Sequence, residues 1–214
     1  MKNIIKNYWL FMLTLIAVIA IWLTNTNHSL FFAINSQHTF LPTAAWTAII
    51  DLTQEKKAIL PVLLLVITFL FRRDKIINVI LLISAYYVIF YLLKITFHEA
   101  RPFIQHDLSL FHWLPQDDIA TRSYRSFPSG HTGNMAIFVF AISHLFAQNK
   151  LWLRILLLVL LVFTMLAQIC TGWHFPIDVL SSALIGFILV LICFSHWVDS
   201  SINYFERKII PQKH

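Results

Sequence analysis

The sequence predicts an all-α protein in which six transmembrane helices form one bundle. Two observations support this fold class. Of the 214 residues, 58% are hydrophobic and only 12% are charged, whereas soluble domains carry about 25% charged residues. In addition, apolar segments recur along the chain at about the 20-residue length that a membrane-spanning helix needs. We therefore expect a single integral membrane domain that extends over residues 1–214.

Six segments are predicted to span the membrane: residues 8–24, 58–71, 76–97, 133–147, 151–171 and 179–198. The second and the fourth are short, so they need flanking residues to cross. Lys2 and Lys6 precede the first segment, as basic residues precede the apolar part of a signal peptide. No small-x-small cleavage site follows it, so we expect a retained anchor.

The lysines and arginines predict how the bundle is oriented. With a cytoplasmic N-terminus, ten of the 16 lysine and arginine residues fall on the cytoplasmic side, as the positive-inside rule expects. Four of the six on the outer side lie in or beside one loop, at Lys94, Arg101, Arg122 and Arg125. We therefore attribute the net charge of +6 to membrane anchoring and not to nucleic-acid binding. Both termini are expected in the cytoplasm, with the chemistry at the outer face.

Three short motifs reach the outer ends of the predicted helices in chain order. Six residues separate Lys94 from the Arg-Pro pair at positions 101 and 102, at the end of the third span. The stretch Ser-Phe-Pro-Ser-Gly-His-Thr begins at Ser126 and leads into the fourth span, and Gly-Trp-His-Phe-Pro-Ile-Asp, residues 172–178, opens the sixth. One motif alone is weak evidence, but three in order at one membrane face predict a shared site.

The first two motifs suit the binding of a phosphate group. Lys94 offers a compact cation, and Arg101 offers a planar fork that matches phosphate. Gly130 allows the backbone to approach an anion closely, and unpaired amides at the start of the fourth span favour negative charge. Ser129 can add a hydroxyl donor. Because phosphoryl transfer depends mainly on positioning and electrostatic stabilisation, these groups need no metal.

The third motif can position a histidine. His174 and Asp178 are four residues apart, so a helix that begins near Pro176 can bring the carboxylate back to the imidazole. A carboxylate that accepts a proton from one ring nitrogen fixes the tautomer and leaves the other nitrogen free. The same pair could instead form a helix-start hydrogen bond without reactivity, and Lys94 could merely extend to the membrane interface.

Together the motifs resemble those of the type 2 phosphatidic acid phosphatase superfamily, whose members include membrane lipid phosphatases and soluble vanadium haloperoxidases. The family pattern is Lys-x6-Arg-Pro, then Pro-Ser-Gly-His, then Ser-Arg-x5-His-x3-Asp, and the resemblance covers roughly residues 55–198. It implies that His174 is a nucleophile that forms a phosphohistidine, with Asp178 as its partner. It also implies that His131 protonates the leaving oxygen and then activates water, with no cofactor and no metal.

The chain departs from the family pattern before His174. Gln168 and Ala167 stand where the family places arginine and serine, and the loss of one donor aimed at a transition state typically costs about 10²- to 10³-fold in rate. Arg122 or Arg125 could supply the missing charge, or the site could be retuned for another substrate. Alternatively, the protein could be a weakly active or inactive relative that only binds lipid phosphates. We favour compensation or retuning, because the three catalytic candidates are present.

These observations predict a lipid-phosphate phosphatase of the bacterial inner membrane that acts at the periplasmic face, with residues 98–132 as a loop over an outer-facing pocket. Its partners would be the bilayer and a lipid phosphate or pyrophosphate. Candidates are undecaprenyl pyrophosphate, phosphatidylglycerol phosphate, phosphatidic acid and lipid A phosphates. Transfer to a lipid acceptor such as lipid A would make it a phosphotransferase. A transporter would need ionisable groups deep in several spans, and only Arg154 and His144 come near, both at the inner end.

Overall fold

The computed structural model describes residues 8–112 and 124–209, and in this part of the chain the regular structure is helical apart from one isolated bridge between Ala100 and Tyr124. The predicted all-α fold class is confirmed. The α-helices are α1 (Tyr8–Thr24), α2 (Asn27–Asn35), α3 (Thr43–Thr53), α4 (Ile59–Phe71), α5 (Ile76–Phe97), α6 (Pro102–Gln105), α7 (Gly130–Phe146), α8 (Leu151–Cys170), α9 (Pro176–Cys193) and α10 (His196–Ile209).

The chain is a multi-pass membrane protein. Within the described residues, three helical stretches are long and apolar enough to cross a membrane: Arg73–Phe97, which contains α5, and the helices α8 and α9. A fourth is possible if Leu13–Thr24 and Asn27–Phe40, which meet at 110°, count as one broken span. The helices α4 and α7 occupy the second and fourth predicted spans but have only 13 and 17 residues. The count of six spans therefore stays a prediction.

The outer surface of the bundle is apolar. Large hydrophobic side chains are exposed along α4, α5 and α8, for example Val66, Val88 and Ile155. Contiguous apolar surface of this extent is unusual on a soluble monomer and fits contact with lipid tails. The bundle therefore presents hydrophobic groups to its surroundings as well as to its core.

Helix α7 occupies the centre of the bundle and packs against α3, α4, α5, α8 and α9. Most of its side chains are buried. Small residues allow two of these close contacts. A Cβ at Gly186 of α9 would meet Ala136 of α7, and a Cβ at Gly133 would collide with Phe90 and Tyr86 of α5. The first turn of α7 is thereby held tightly against α5.

Two helices begin earlier than hydropathy predicts, because polar groups cap them. Helix α7 starts at Gly130, since the Ser129 side chain accepts a hydrogen bond from the Thr132 amide. Helix α9 starts at Pro176, and its third residue, Asp178, accepts a hydrogen bond from the Phe175 amide at 3.0 Å. Both caps fall within the motifs identified in the sequence, so the motif side chains also shape the backbone there.

Candidate active site

Four helix ends converge to form the candidate site. The C-terminal end of α5 carries Lys94, and the N-terminal end of α7 packs against the middle of α5, where the Tyr86 hydroxyl donates to the Gly130 carbonyl at 2.8 Å. The C-terminal end of α8 and the N-terminal end of α9 are connected by residues 171–175. Side chains from all three motifs meet across this junction, as the following contacts describe.

The turn between α8 and α9 presents His174. Both the Trp173 and the His174 amides donate to the Gln168 carbonyl, at 3.0 and 3.2 Å. Gly172 has a φ of 77°, a conformation that side-chain-bearing residues adopt rarely. These features fold the chain back sharply at the end of α8. The imidazole of His174 is consequently buried, with 2% of its surface exposed.

Asp178 and Ser126 flank one ring nitrogen of His174. The Asp178 Oδ2 atom lies 3.5 Å from His174 Nδ1, a long contact, and accepts a 2.6 Å hydrogen bond from the Ser126 hydroxyl. Ser126 Oγ is itself 3.5 Å from His174 Nδ1. Hydrogen bonds in a site without substrate are often long and tighten on binding. The predicted return of the Asp178 carboxylate toward the imidazole is what the helix start produces.

Arg101 contacts the other ring nitrogen. Its Nη1 atom donates to the Trp173 carbonyl at 2.9 Å and lies 3.2 Å from His174 Nε2. Arginine has donors but no acceptor, so this contact requires a lone pair on Nε2. The proton of neutral His174 then resides on Nδ1, which faces Asp178. The guanidinium also lies over the Trp173 ring, 5.1 Å from its centroid.

The surroundings of His174 disfavour its charged form. Burial lowers the pKa of His174 well below its ordinary value, and the positive charges of Arg101 and Lys94 lower it further. A hydrogen bond with the Ser126 backbone acts in the opposite direction. His174 is therefore neutral near pH 7, with an unprotonated nitrogen at the cation-lined side of its ring.

Lys94 adds positive charge near this histidine, and Arg125 lies close enough to interact with Lys94. Lys94 is half-buried on the last turn of α5 and interacts electrostatically with Arg101, Asp178 and Arg125. Arg125 is exposed and has a φ of 74°, one residue before Ser126. Lys94 also interacts with Glu55, a carboxylate that the motifs do not contain. Lys94 and Arg101 thus act on one another and on the His174–Asp178 pair, and Arg125 acts on Lys94.

The first turn of α7 carries the remaining predicted groups. The Ser129 hydroxyl donates to Thr132 Oγ1 at 3.1 Å and caps the helix, so its proton is already used in this state. Gly130 is buried, and His131, the second residue of the helix, is half-buried. A Cβ at Gly130 would collide with the carboxylate of Glu55. The glycine therefore provides space that an acidic side chain fills.

Gln168 lies beneath the His174 turn. Its side chain is fully buried, and within the described residues neither its amide nitrogen nor its amide oxygen has a hydrogen-bond partner. An unpaired buried amide is costly, by about 1–3 kcal/mol. Arg122 and Arg125 are the two candidates for the positive charge that Gln168 lacks. Arg122 lies outside the described residues, so Arg125 is the candidate that can be related to the site.

Two residues of the site were missed in the sequence. Ser126 opens the second motif, but the spacing gave no reason to pair its hydroxyl with Asp178, 52 residues away. Glu55 lies in the 3₁₀ turn Glu55–Lys57 before α4, where hydropathy shows only a polar break between segments. Among the described residues, no group of three or more histidine, cysteine or acidic side chains is arranged to hold a metal ion.

A neutral histidine paired with a carboxylate and flanked by two cations lies at the end of an apolar bundle, which is the arrangement expected of a membrane protein that binds phosphate. The family comparison gives the same class, because the PAP2 superfamily model matches residues 75–201. The chain belongs to the PAP2 superfamily, and its relatives are lipid phosphatases. This confirms the resemblance drawn from the three motifs.

Individual relatives extend the similarity along the chain. The chain is 28% identical over 189 residues to the putative undecaprenyl-diphosphatase YbjG of Escherichia coli, a match that covers 86% of this chain and 89% of YbjG. It is 35% identical over 108 residues to the undecaprenyl-diphosphatase BcrC of Bacillus subtilis, covering half of each protein. Among solved structures, LpxE of Aquifex aeolicus superposes with a TM-score of 0.62 at 29% identity, over 78% of this chain and 93% of LpxE.

Proposed function

We propose that the protein hydrolyses undecaprenyl diphosphate to undecaprenyl phosphate and inorganic phosphate at the periplasmic face of the bacterial inner membrane. The likeness to BcrC and YbjG supports this substrate. The observation that carries the chemistry is the 3.2 Å contact between Arg101 Nη1 and His174 Nε2. The guanidinium of Arg101, which suits phosphate binding, lies beside Nε2, the ring nitrogen of His174 that has a free lone pair.

In the first half-reaction, His174 Nε2 attacks the terminal phosphorus of the diphosphate. The Nε2–P bond forms as the P–O bond to undecaprenyl phosphate breaks, and His131 donates a proton to the leaving oxygen. The imidazole then carries positive charge with its proton still on Nδ1, and the Asp178 carboxylate stabilises that charge. Lys94 and Arg101 stabilise the negative charge on the transferred group.

In the second half-reaction, water replaces the histidine. His131, now neutral, accepts a proton from the water as its oxygen attacks phosphorus, and the Nε2–P bond breaks. The bonding electrons return to Nε2, which restores neutral His174, and inorganic phosphate leaves. The buried Gln168 amide gains a partner if a phosphate oxygen lies beside it, which fits a site adapted to a neutral donor in place of arginine.

A cavity beside Asp178 is suited to the lipid portion of the substrate. It has a volume of about 460 Å³ and lies between the ends of α1 and α5 and the start of α9. Its wall combines polar groups with the aromatic and aliphatic residues Trp22, Phe97, Phe127, Phe175 and Ile177. We propose that the first isoprene units occupy this cavity while the rest of the chain stays in the bilayer.

The test is phosphate release from a panel of lipids by purified protein in detergent. The panel contains undecaprenyl diphosphate, phosphatidylglycerol phosphate, phosphatidic acid and a lipid A phosphate. We expect the highest kcat/KM with undecaprenyl diphosphate, loss of release in His174→Ala, and wild-type release in the matched control His196→Ala, an exposed histidine on α10. Full activity of His174→Ala would refute the nucleophile, and preference for another lipid would refute the substrate.

The same assay separates hydrolysis from phosphoryl transfer. Substrate labelled in its terminal phosphate is supplied with and without an acceptor lipid, and label is followed into inorganic phosphate, acceptor and protein. We expect label in inorganic phosphate and a transient acid-labile label on the wild-type protein. Label that accumulates in the acceptor would identify a phosphotransferase instead.

A further inference from the structure

The Glu55 carboxylate occupies the side-chain position that Gly130 leaves empty. A Cβ built on Gly130 would collide with Glu55, and no other atom lies as near. The Tyr86 hydroxyl lies 3.0 Å from Glu55 Oε1 and 2.8 Å from the Gly130 carbonyl oxygen. One fully buried hydroxyl therefore holds the carboxylate against the glycine of the second motif.

Glu55 also acts on Lys94, one of the predicted phosphate-binding cations. Tyr86 and Lys94 are eight residues apart on α5, which places them on the same face of the helix. Lys94 interacts electrostatically with Glu55. The Glu55 carboxylate thus lies beside the backbone amides at the start of α7 and also acts on Lys94. The helix amides and the lysine both favour a bound anion.

The backbone that carries Glu55 is fixed, although its side chain is only half-buried. The side-chain amide of Asn134, on α7, donates to the backbone carbonyl of Thr53 at 3.1 Å, two residues before Glu55. The Tyr87 hydroxyl donates to the Glu55 carbonyl at 3.3 Å. The carboxylate can therefore leave its position by side-chain rotation alone, without movement of the turn.

We propose that Glu55 is an internal anion that competes with phosphate for this position. The inference rests on the proposed function. A lipid diphosphate, anchored by its tail and carrying two phosphates, displaces the carboxylate when it binds. Inorganic phosphate lacks both the tail and the second phosphate, so the returning carboxylate displaces it after hydrolysis. Glu55 would thereby speed product release and limit product inhibition.

The test compares Glu55→Gln with wild-type protein in its affinity for inorganic phosphate. The variant keeps the shape of the side chain and removes its charge. We expect phosphate to inhibit Glu55→Gln at about tenfold lower concentration, the effect of one nearby like charge. Asp51→Asn, which removes an exposed carboxylate paired with Lys57 on the preceding helix, is the matched control and should change inhibition less than twofold, since exposed pairs act weakly.

Calorimetry can measure the binding of inorganic phosphate directly, with and without Glu55→Gln in the His174→Ala background. This measurement does not depend on turnover. Tighter binding in Glu55→Gln supports the inference even if the wild-type protein releases no phosphate from any lipid, an outcome that would refute only the proposed function. Unchanged or weaker binding in Glu55→Gln would overturn the inference even if hydrolysis is confirmed.

A double-mutant cycle tests the contact itself. Gly130→Ala should lower the thermal unfolding temperature slightly in the wild-type background, because the new Cβ turns the flexible carboxylate away and breaks its hydrogen bond with the Tyr86 hydroxyl. In the Glu55→Ala background the same substitution should have little effect. Equal shifts in the two backgrounds would show that Glu55 does not occupy the Gly130 position and would overturn the inference.

Discussion

Arg101 Nη1 lies 3.2 Å from His174 Nε2, on the side of the imidazole opposite Asp178. This contact links three properties of the site. It assigns the free lone pair to Nε2, it lowers the pKa of His174 through the guanidinium charge, and it brings a phosphate-binding fork to the attacking atom. On substrate binding, the same donors can turn from the nitrogen to the phosphate oxygens that approach it.

Replacing Arg101 tests whether the fork or only its charge is needed. Arg101→Lys keeps a cation but loses the planar pair of donors. We expect kcat/KM to fall about 10²-fold, the typical cost of one donor to the transition state. Arg73→Lys, on an exposed arginine before α5, should leave kcat/KM unchanged. A rate within twofold of wild type for Arg101→Lys would mean that charge alone is sufficient.

The same residue should control how activity depends on pH. Because Arg101 lowers the pKa of His174, Arg101→Gln should raise it and shift the acidic limb of the kcat/KM profile to higher pH. Lys57→Gln removes an exposed cation of the nearby 3₁₀ turn and should leave the limb in place. An unshifted limb in Arg101→Gln would indicate that another group titrates there.

His174 should also make the folded protein less stable in acid. An unfolded chain protonates this histidine below about pH 6.5, whereas the folded protein does so only at lower pH. In that window the unfolded state binds more protons, so the free energy of unfolding decreases as pH falls, by up to about 1.4 kcal/mol per pH unit. Between pH 7 and pH 5, the thermal unfolding temperature of His174→Asn should therefore decrease less than that of the wild type. Equal decreases would contradict the lowered pKa.

Ser126 is expected to act through Asp178. Its hydroxyl donates to Asp178 Oδ2 at 2.6 Å, and hydrogen bonds to charged groups contribute about 1.5–3 kcal/mol. If that contribution orients the histidine, Ser126→Ala should lower kcat about 10- to 100-fold with little change in KM. Ser182→Ala removes a buried hydroxyl that donates to the Asp178 backbone carbonyl, also at 2.6 Å, and serves as control. Similar kcat losses in both variants would indicate a structural role.

The positions of the main helices could be predicted from the sequence, because membrane spans follow from hydropathy alone. Helices occupy all six predicted segments within the described residues, and each starts or ends within a few residues of its predicted boundary. Helices α2 and α3 could not be predicted, since they are short, lie between spans and contain polar residues such as Asn35 and Asp51. The early starts of α7 and α9 depend on side-chain caps, which an average over apolar residues does not detect.

The residues of the site can likewise be separated into those that the sequence predicts and those that it does not. Lys94, Arg101, His174 and Asp178 could be found from motif spacing, because each motif is local in sequence and lies at the start or the end of a helix. Ser126 and Glu55 act through contacts with residues far along the chain, to Asp178 and Gly130. Such contacts depend on how α5, α7 and α9 pack, and one sequence contains no signal for that packing. The pairing of Arg101 with His174 Nε2 likewise required the three-dimensional arrangement.

One substitution can restore the positive charge that Gln168 lacks relative to the family arginine, and another can remove the charge of Arg125. Gln168→Arg should raise kcat/KM, because it returns a cation beneath the His174 turn, and Arg125→Ala should lower it, because Arg125 interacts with Lys94 in this site. Arg73→Ala, distant from the turn, controls for loss of an exposed arginine. Equal rates for wild type, Gln168→Arg and Arg125→Ala on the preferred lipid would reject charge compensation.

The cavity between α1, α5 and α9 should select for the lipid portion of the substrate. Trp22 and Phe97 contribute to its wall, and both are largely exposed, so they can be truncated without opening the core. We expect Trp22→Ala and Phe97→Ala to raise KM for undecaprenyl diphosphate severalfold and to leave kcat nearly unchanged, since the lost contacts hold the chain equally in ground and transition states. Hydrolysis of a short-chain, water-soluble diphosphate should be unaffected, because it does not fill the cavity.

The control is Trp152→Ala, which truncates an exposed tryptophan of α8 outside the cavity. If Trp22→Ala and Phe97→Ala raise KM equally for both substrates, Trp22 and Phe97 shape the phosphate site and not the path of the lipid chain.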